Sequence, residues 1–124
     1  MARILIVEDA RLTRRMIGQI LRQEGHEVLE ASGGLQGLEL AIIGSFDCIF
    51  LDLLMPDIDG REFLQILRDE GLKIPVVVIT ADIQETTREE CLNLGAIAVM
   101  KKVLKPDILR QGIKIAIAAK ETVR

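Results

Sequence analysis

Tryptophan and tyrosine are absent and phenylalanine occurs three times, so any core this chain builds must be aliphatic. The apolar share of 49% comes almost entirely from Ile, Leu, Val and Ala. Cysteine is scarce. Cys48 and Cys91 stand alone in apolar or helical contexts, which suits buried free thiols and argues against a disulfide or a metal site. A reduced, cytoplasmic setting is the matching expectation. The longest apolar runs, such as 48–51 and 75–79, fall far short of the roughly 20 residues a membrane helix needs. The N-terminus shows no signal-peptide pattern. No excess of positive charge appears either: the formal net charge is −3 and no basic face is visible, so neither nucleic acid nor membrane is expected as a partner. Linkers, internal repeats and low-complexity segments are also missing. With 28% charged residues the 124-residue chain reads as one globular domain spanning 1–124, with no output domain expected.

What is present is a regular alternation. Five short runs rich in branched aliphatics occur at 3–7, 27–31, 48–51, 76–79 and 97–100. Three of them are nearly uninterrupted, as strands buried on both faces should be, which means a parallel sheet covered on each side. Helical spacing fills the intervals. Leu12, Met16, Ile17, Ile20 and Leu21 form one stripe, Phe63, Ile66 and Leu67 a second, and Leu109, Ile113, Ala116 and Ile117 a third. Ser32 is a candidate N-cap for the second helix, and Asp59 or Gly60 for the third. Gly25, Gly44 and Gly71 fall where helices should stop. Pro75 opens the fourth strand and Pro106 suits the first turn of the last helix. The fourth helix, roughly 83–94, is weakly apolar and should sit shallowly on the sheet, free to move.

Strand–helix alternation of this kind implies right-handed crossovers. Five units cannot close an eight-stranded barrel. The expected fold is therefore α/β: an open, doubly wound, flavodoxin-like (βα)5 sheet of order 2-1-3-4-5, with its crevice at the carboxyl ends of the strands.

That frame makes the polar residues at the strand ends informative. Strand 1 ends in Glu8 and Asp9, strand 3 in Asp52, strand 4 in Thr80 and Ala81, and strand 5 runs into Lys101 and Lys102. Solvated loops account for one or two polar strand ends. They account poorly for three carboxylates on adjacent strands with a hydroxyl and an amine on the next two. Carboxylates this close repel one another unless a cation enters, and hard oxygen ligands with water access suit Mg²⁺. A carboxylate beside a bound metal can accept a phosphoryl group. The metal and a lysine would neutralise the transferring oxygens, and Thr80 could donate a hydrogen bond to one of them.

The segment Asp52, Leu53, Leu54, Met55, Pro56, Asp57, Ile58, Asp59, Gly60 resembles the D-x-x-M-P-x-x-x-G that surrounds the phosphoacceptor of two-component response-regulator receiver domains. Glu8-Asp9 is similar to that family's acidic pair, Thr80-Ala81 to its switch hydroxyl and small neighbour, and Gly95-Ala96 to the G-A before strand 5. The family's lysine, seven residues beyond that glycine, falls on Lys102. The resemblance covers the whole chain. It implies a phosphorylation-activated signalling switch of the chemotaxis-type, single-domain kind, catalysing only its own phosphorylation and dephosphorylation. Asp52 would take a phosphoryl group from a histidine kinase's phosphohistidine. Asp9, Asp52 and the Leu54 backbone carbonyl would bind Mg²⁺ directly, Glu8 through a water, and Lys102 would pair with the phosphoryl group. The chain would then dock on a downstream protein or relay the group to a phosphotransfer protein.

Four positions depart from the commonest pattern: Glu8 stands where Asp is frequent, Val103 follows Lys102 in place of proline, Val99 occupies the position of the swinging aromatic, and Leu54 is bulky and apolar. Leu54 gives no hydrogen bond to an in-line water, so intrinsic dephosphorylation should be slow. Asp82 could still orient a water or meet an auxiliary phosphatase. A trans Lys102–Val103 bond is expected, because cis costs about 3 kcal/mol outside proline. Lys101 should point away from the crevice, and Lys105 should lie too far along to reach it. A dehalogenase-type phosphatase would need a second Asp at Leu54. A flavin or nucleotide site would need a Gly or Ser/Thr run after strand 1, where Asp9, Ala10 and Arg11 stand. The remaining residues read more simply: His26 as exposed on the edge of strand 2, Met16 and Met100 as core filler, Lys114 and Lys120 as a solvated face.

Overall fold

The computed structural model describes residues 1–81 and 83–122. Within them five parallel strands, Arg3–Val7 (β1), Glu27–Ala31 (β2), Cys48–Asp52 (β3), Val76–Thr80 (β4) and Ala98–Lys101 (β5), alternate with five helices, Arg11–Gln23 (α1), Gly34–Ile43 (α2), Gly60–Asp69 (α3), Glu85–Asn93 (α4) and Pro106–Thr122 (α5). The sheet order is β2-β1-β3-β4-β5, the doubly wound order expected. Successive side chains leave a strand on opposite faces, and this divides the core in two. Leu5, Val7, Ile49, Leu51, Val76 and Val78 pack under α2, α3 and α4. Ile4, Ile6, Cys48, Phe50, Val77 and Ile79 pack under α1 and α5. The central strands β3 and β4 are buried along their whole length, which is why they read as unbroken apolar runs. Both cysteines are free and buried.

β1 and β2 match the expected runs and β5 is shifted by one residue, while β3 and β4 run one residue further, so Asp52 and Thr80 are strand residues and share their registers, Asp52 opposite Ile79 and Thr80 opposite Lys101. Asp59 caps α3, accepting from the Glu62 N–H at 3.0 Å. Gly25 and Gly71 turn the chain at positive φ after α1 and α3, a conformation that glycine alone adopts freely.

Several expectations are corrected. Gly33, not Ser32, is the N-cap of α2; the Ser32 N–H and hydroxyl both go to Gln36 Oε1, which holds Ser32 one step outside the helix. Leu12 and Met16 are exposed, while Ile17, Gly18 and Leu21 form the buried face of α1. Helical spacing identifies a shared face but not how far along it the sheet extends. Met100 is partly buried against the core, as filler should be. His26 is half-buried, because the N-terminal segment runs beside the start of β2: the Ala2 N–H donates to His26 Nδ1 at 3.0 Å and the Glu27 N–H to the Ala2 carbonyl at 3.0 Å. α4 is shorter than expected and buries Cys91 alone. Lys114 and Lys120 are exposed, as a solvated face should be, and Lys120 also pairs with Asp47. No described helix is long and apolar enough to cross a membrane.

Candidate functional site

Parallel strands deliver their carboxyl ends to one edge, and here four adjacent ends meet. Glu8 follows β1, Asp52 closes β3, Thr80 closes β4 and Lys102 follows β5. Glu8 is fully enclosed, and Asp52 and Thr80 are buried. Carboxylate oxygens of Glu8, Asp9 and Asp52 lie within 4.8 Å of one another, with Asp9 on the exposed rim. Lys102 enters from the far side: its Nζ is 2.5 Å from Glu8 Oε1 and 3.3 Å from Asp52 Oδ1. Lys101, one residue earlier, faces solvent, and Lys105 is exposed too. Of these three lysines it is Lys102 whose ammonium meets the carboxylates.

Local bonds hold each part. The Ala10 N–H donates to Glu8 Oε2 at 3.2 Å, turning that carboxylate back over its own loop. The Lys102 N–H donates to the Thr80 carbonyl at 2.8 Å, tying the lysine to the end of β4. Gly60 brings α3 against the end of β3: a Cβ there would fall 3.0 Å from Leu53 Cα and 3.1 Å from the Asp52 carbonyl oxygen. The Lys102–Val103 peptide is cis, against the trans geometry expected. The intrinsic preference describes a free amide, whereas here Lys102 is held by Thr80 and the carboxylates, and Leu104 by burial.

The electrostatics follow from enclosure. Burial, with the hydrogen bond and negative charge of Glu8, pushes Asp52 up from 3.8 to about 7 against the pull of Lys102. Burial acts on Glu8 in the same direction, but its close contacts with Asp52 and Lys102 and the hydrogen bond from the Ala10 N–H outweigh it and leave Glu8 below the ordinary carboxylate value. Lys102 is shifted upward, the two carboxylates overcoming the opposing effect of burial.

The donor set suits a divalent cation with hard oxygen ligands. Three carboxylates converge, and Glu8 Oε1 is buried with a close ammonium beside it but no aligned hydrogen bond. Such an oxygen gains from a coordinated water or an ion.

Leu54 lies in the β3–α3 loop with an exposed side chain. Val99 is buried in the core beneath α4, and Ala81 is exposed. Asp82 lies outside the described residues. One contributor escaped the sequence reading. Arg14 donates to the Glu8 carbonyl at 2.9 Å and pairs with Glu30 on β2 at 3.5 Å, bracing the loop that carries both acids. No local signal announces it, since its targets are backbone oxygens and a distant strand.

Comparison with known proteins identifies the family. The profile of the response regulator receiver domain matches residues 4–114. The transcriptional regulatory protein SrrA of Staphylococcus aureus is 38% identical over 103 residues, which is 83% of this chain and 42% of SrrA. This chain thus spans about two fifths of the length of the curated relatives it matches. Among solved structures, a CheY-like response regulator receiver domain protein from Methanospirillum hungatei JF-1 superposes with TM-score 0.91 at 28% identity, covering 100% of this chain and 99% of that one. The chemotaxis protein CheY4 of Vibrio cholerae gives 0.87 at 29% identity, covering 92% and 97%.

Proposed function

The chain belongs to the response regulator receiver-domain family of two-component signalling, and from that premise we propose that Asp52 is its phosphoacceptor and a histidine kinase phosphohistidine the donor. A receiver domain implies phosphorylation-dependent signalling with a histidine kinase as partner. The observation that carries the finer reading is the meeting of Lys102 with Glu8 and Asp52, at 2.5 and 3.3 Å, beside Asp9.

In the transfer, an Asp52 carboxylate oxygen attacks phosphorus and forms the new P–O bond. The P–N bond to the donor imidazole breaks, its electron pair leaves with the ring nitrogen, and that nitrogen takes up a proton. Attack requires Asp52 ionised, and burial beside Glu8 opposes that in the metal-free protein. Asp9, Asp52 and the Leu54 backbone carbonyl would hold Mg²⁺, with Glu8 acting through a water; bound there, the ion supplies positive charge against the carboxylates and the transferring oxygens. Lys102 would exchange part of its contact with Glu8 for a phosphoryl oxygen. Thr80 would donate its hydroxyl hydrogen to another, with the small Ala81 leaving room beside it. The aspartyl phosphate then changes docking on a downstream protein or passes the group to a phosphotransfer protein. Leu54 offers no polar group to an attacking water, so shutdown relies on an auxiliary phosphatase or on back-transfer.

Intact-mass measurement after incubation with Mg²⁺ and acetyl phosphate tests this reading. A gain of a single phosphoryl group is expected, lost in Asp52→Asn and on chelation. Efficient labelling of Asp52→Asn would overturn it.

A further inference from the structure

The loop between β3 and α3 carries the Leu54 carbonyl, and its far end rests on a helix from another part of the chain. α2 begins without a cap of its own: Gly33 offers no side chain and no acidic residue lies in the first turn. The missing acceptor comes from Asp57. The Gly34 N–H donates to Asp57 Oδ1 at 3.1 Å and the Leu35 N–H to Oδ2 at 2.9 Å, so both oxygens of one carboxylate close the first turn of α2 in trans. The contact surface is shaped for this. A Cβ on Gly34 would sit 2.3 Å from Ile58 Cγ1 and 3.2 Å from the Ile58 carbonyl oxygen, and one on Gly33 would sit 2.9 Å from Asp57 Oδ2, so the two glycines let the loop approach this closely.

We propose that Asp57 is a positioning residue for the metal site: by capping α2 it fixes the loop and aims the Leu54 carbonyl. The inference rests on the function proposed above. Leu53 is anchored to β4 by its N–H bond to the Ile79 carbonyl at 3.1 Å. Asp57 anchors the other end, with Met55 buried between them and Pro56 fixing its own φ. Three residues held at both ends leave the Leu54 carbonyl little freedom. Releasing Asp57 frees that direction without removing any ligand atom.

The test compares wild type, Asp57→Ala, Asp57→Asn and Gly34→Ala by Mg²⁺ titration calorimetry, by acetyl phosphate labelling at varied Mg²⁺, and by amide exchange at Leu35. Asp57→Ala should weaken Mg²⁺ binding about tenfold, as loss of a residue supporting a ligand does. Its labelling rate at saturating Mg²⁺ should stay near wild type, and Leu35 should lose protection. Asp57→Asn, which keeps an oxygen acceptor but no charge, should fall nearer wild type. Gly34→Ala, which displaces Ile58 and changes no charge, should weaken Mg²⁺ binding as well. Unchanged Mg²⁺ affinity in Asp57→Ala, with Leu35 deprotected, would overturn the inference and leave a helix cap only. Equal weakening in Asp57→Asn and Asp57→Ala would overturn it in favour of a simple charge effect. A wild type that binds no Mg²⁺ would overturn the proposed function together with this inference.

Discussion

Neighbouring strands β3 and β4 lead from the same edge into α3 and α4, and among the described residues these two helices are held in different ways. The loop after β3 is fixed by the Leu53 N–H on Ile79, the Gly60 N–H on Leu53 at 2.7 Å, Asp57 on α2 and Asp59 on its own helix. It leads into α3, which buries Phe63, Leu64 and Leu67. The loop after β4 leads into a helix with no side-chain cap and one buried residue, Cys91. α4 is otherwise held by polar contacts: Arg61 with Glu90, Arg68 with the Asn93 carbonyl at 2.6 Å, and Arg88 with the Val99 carbonyl at 3.3 Å. Exposed pairs of this kind contribute little and exchange readily with water. A site of the proposed kind, which would hold a metal in one geometry and also report a chemical change, needs both a fixed half and a yielding half. The fixed half carries Asp52, and the yielding half carries Thr80.

The largest effect should come from cutting the two helices at their anchors. Phe63→Ala should destabilise the protein by about 3–5 kcal/mol, Cys91→Ala by only about 1 kcal/mol. Urea unfolding measures both, and equal losses would break the contrast. At the site itself, Lys102→Ala should slow acetyl phosphate labelling by about a hundredfold, as removal of a single stabilising donor does. The exposed Lys105→Ala should label like wild type. Equal impairment of the two would mean that the β5 end does not direct one lysine inward.

A smaller effect concerns pH without metal. Asp52 holds its proton to about 7 in the folded state against an ordinary 3.8, so the native state binds more protons across that interval. Stability should therefore fall as pH rises from about 4 to about 7. Glu8 acts in the opposite sense, but only near and below its ordinary 4.5. His26, shifted down by burial and the neighbouring N-terminus, adds stability with rising pH. The difference between wild type and Asp52→Asn removes the His26 contribution, and Glu8, which is coupled to Asp52, enters only near and below its ordinary 4.5. The variant should gain on wild type as pH rises, and Mg²⁺ should narrow the gap. A constant difference across pH would show that Asp52 is not strained as described.

The contrast between the two loops was partly legible beforehand. The strands were readable because both faces are buried, and the strand-end residues because motif spacing counts from those strands. The weak apolar content of α4 also pointed to its shallow seat. Other features depend on what the fold brings close. Leu12 obeys the helical period of α1 yet lies exposed in its first turn. Ser32 looks like a cap, but the true acceptor for α2 is Asp57, twenty-three residues away from Gly34. Arg14 works on backbone oxygens, which carry no sequence identity. The cis bond after Lys102 is set by contacts on both sides rather than by its own residue types. Long-range backbone partners leave no local trace, and they account for most of what was missed.

If Asp52 is phosphorylated as proposed, the site is fixed through the β3 side and read out through the β4 side. Backbone amide shifts of the Mg²⁺-bound protein, with and without beryllofluoride, test it most directly. Changes should reach beyond the site into 83–104, covering α4 and β5, while 60–69 in α3 stays in place. Large shifts through α3 with α4 untouched, or changes confined to the residues around the metal, would contradict the account.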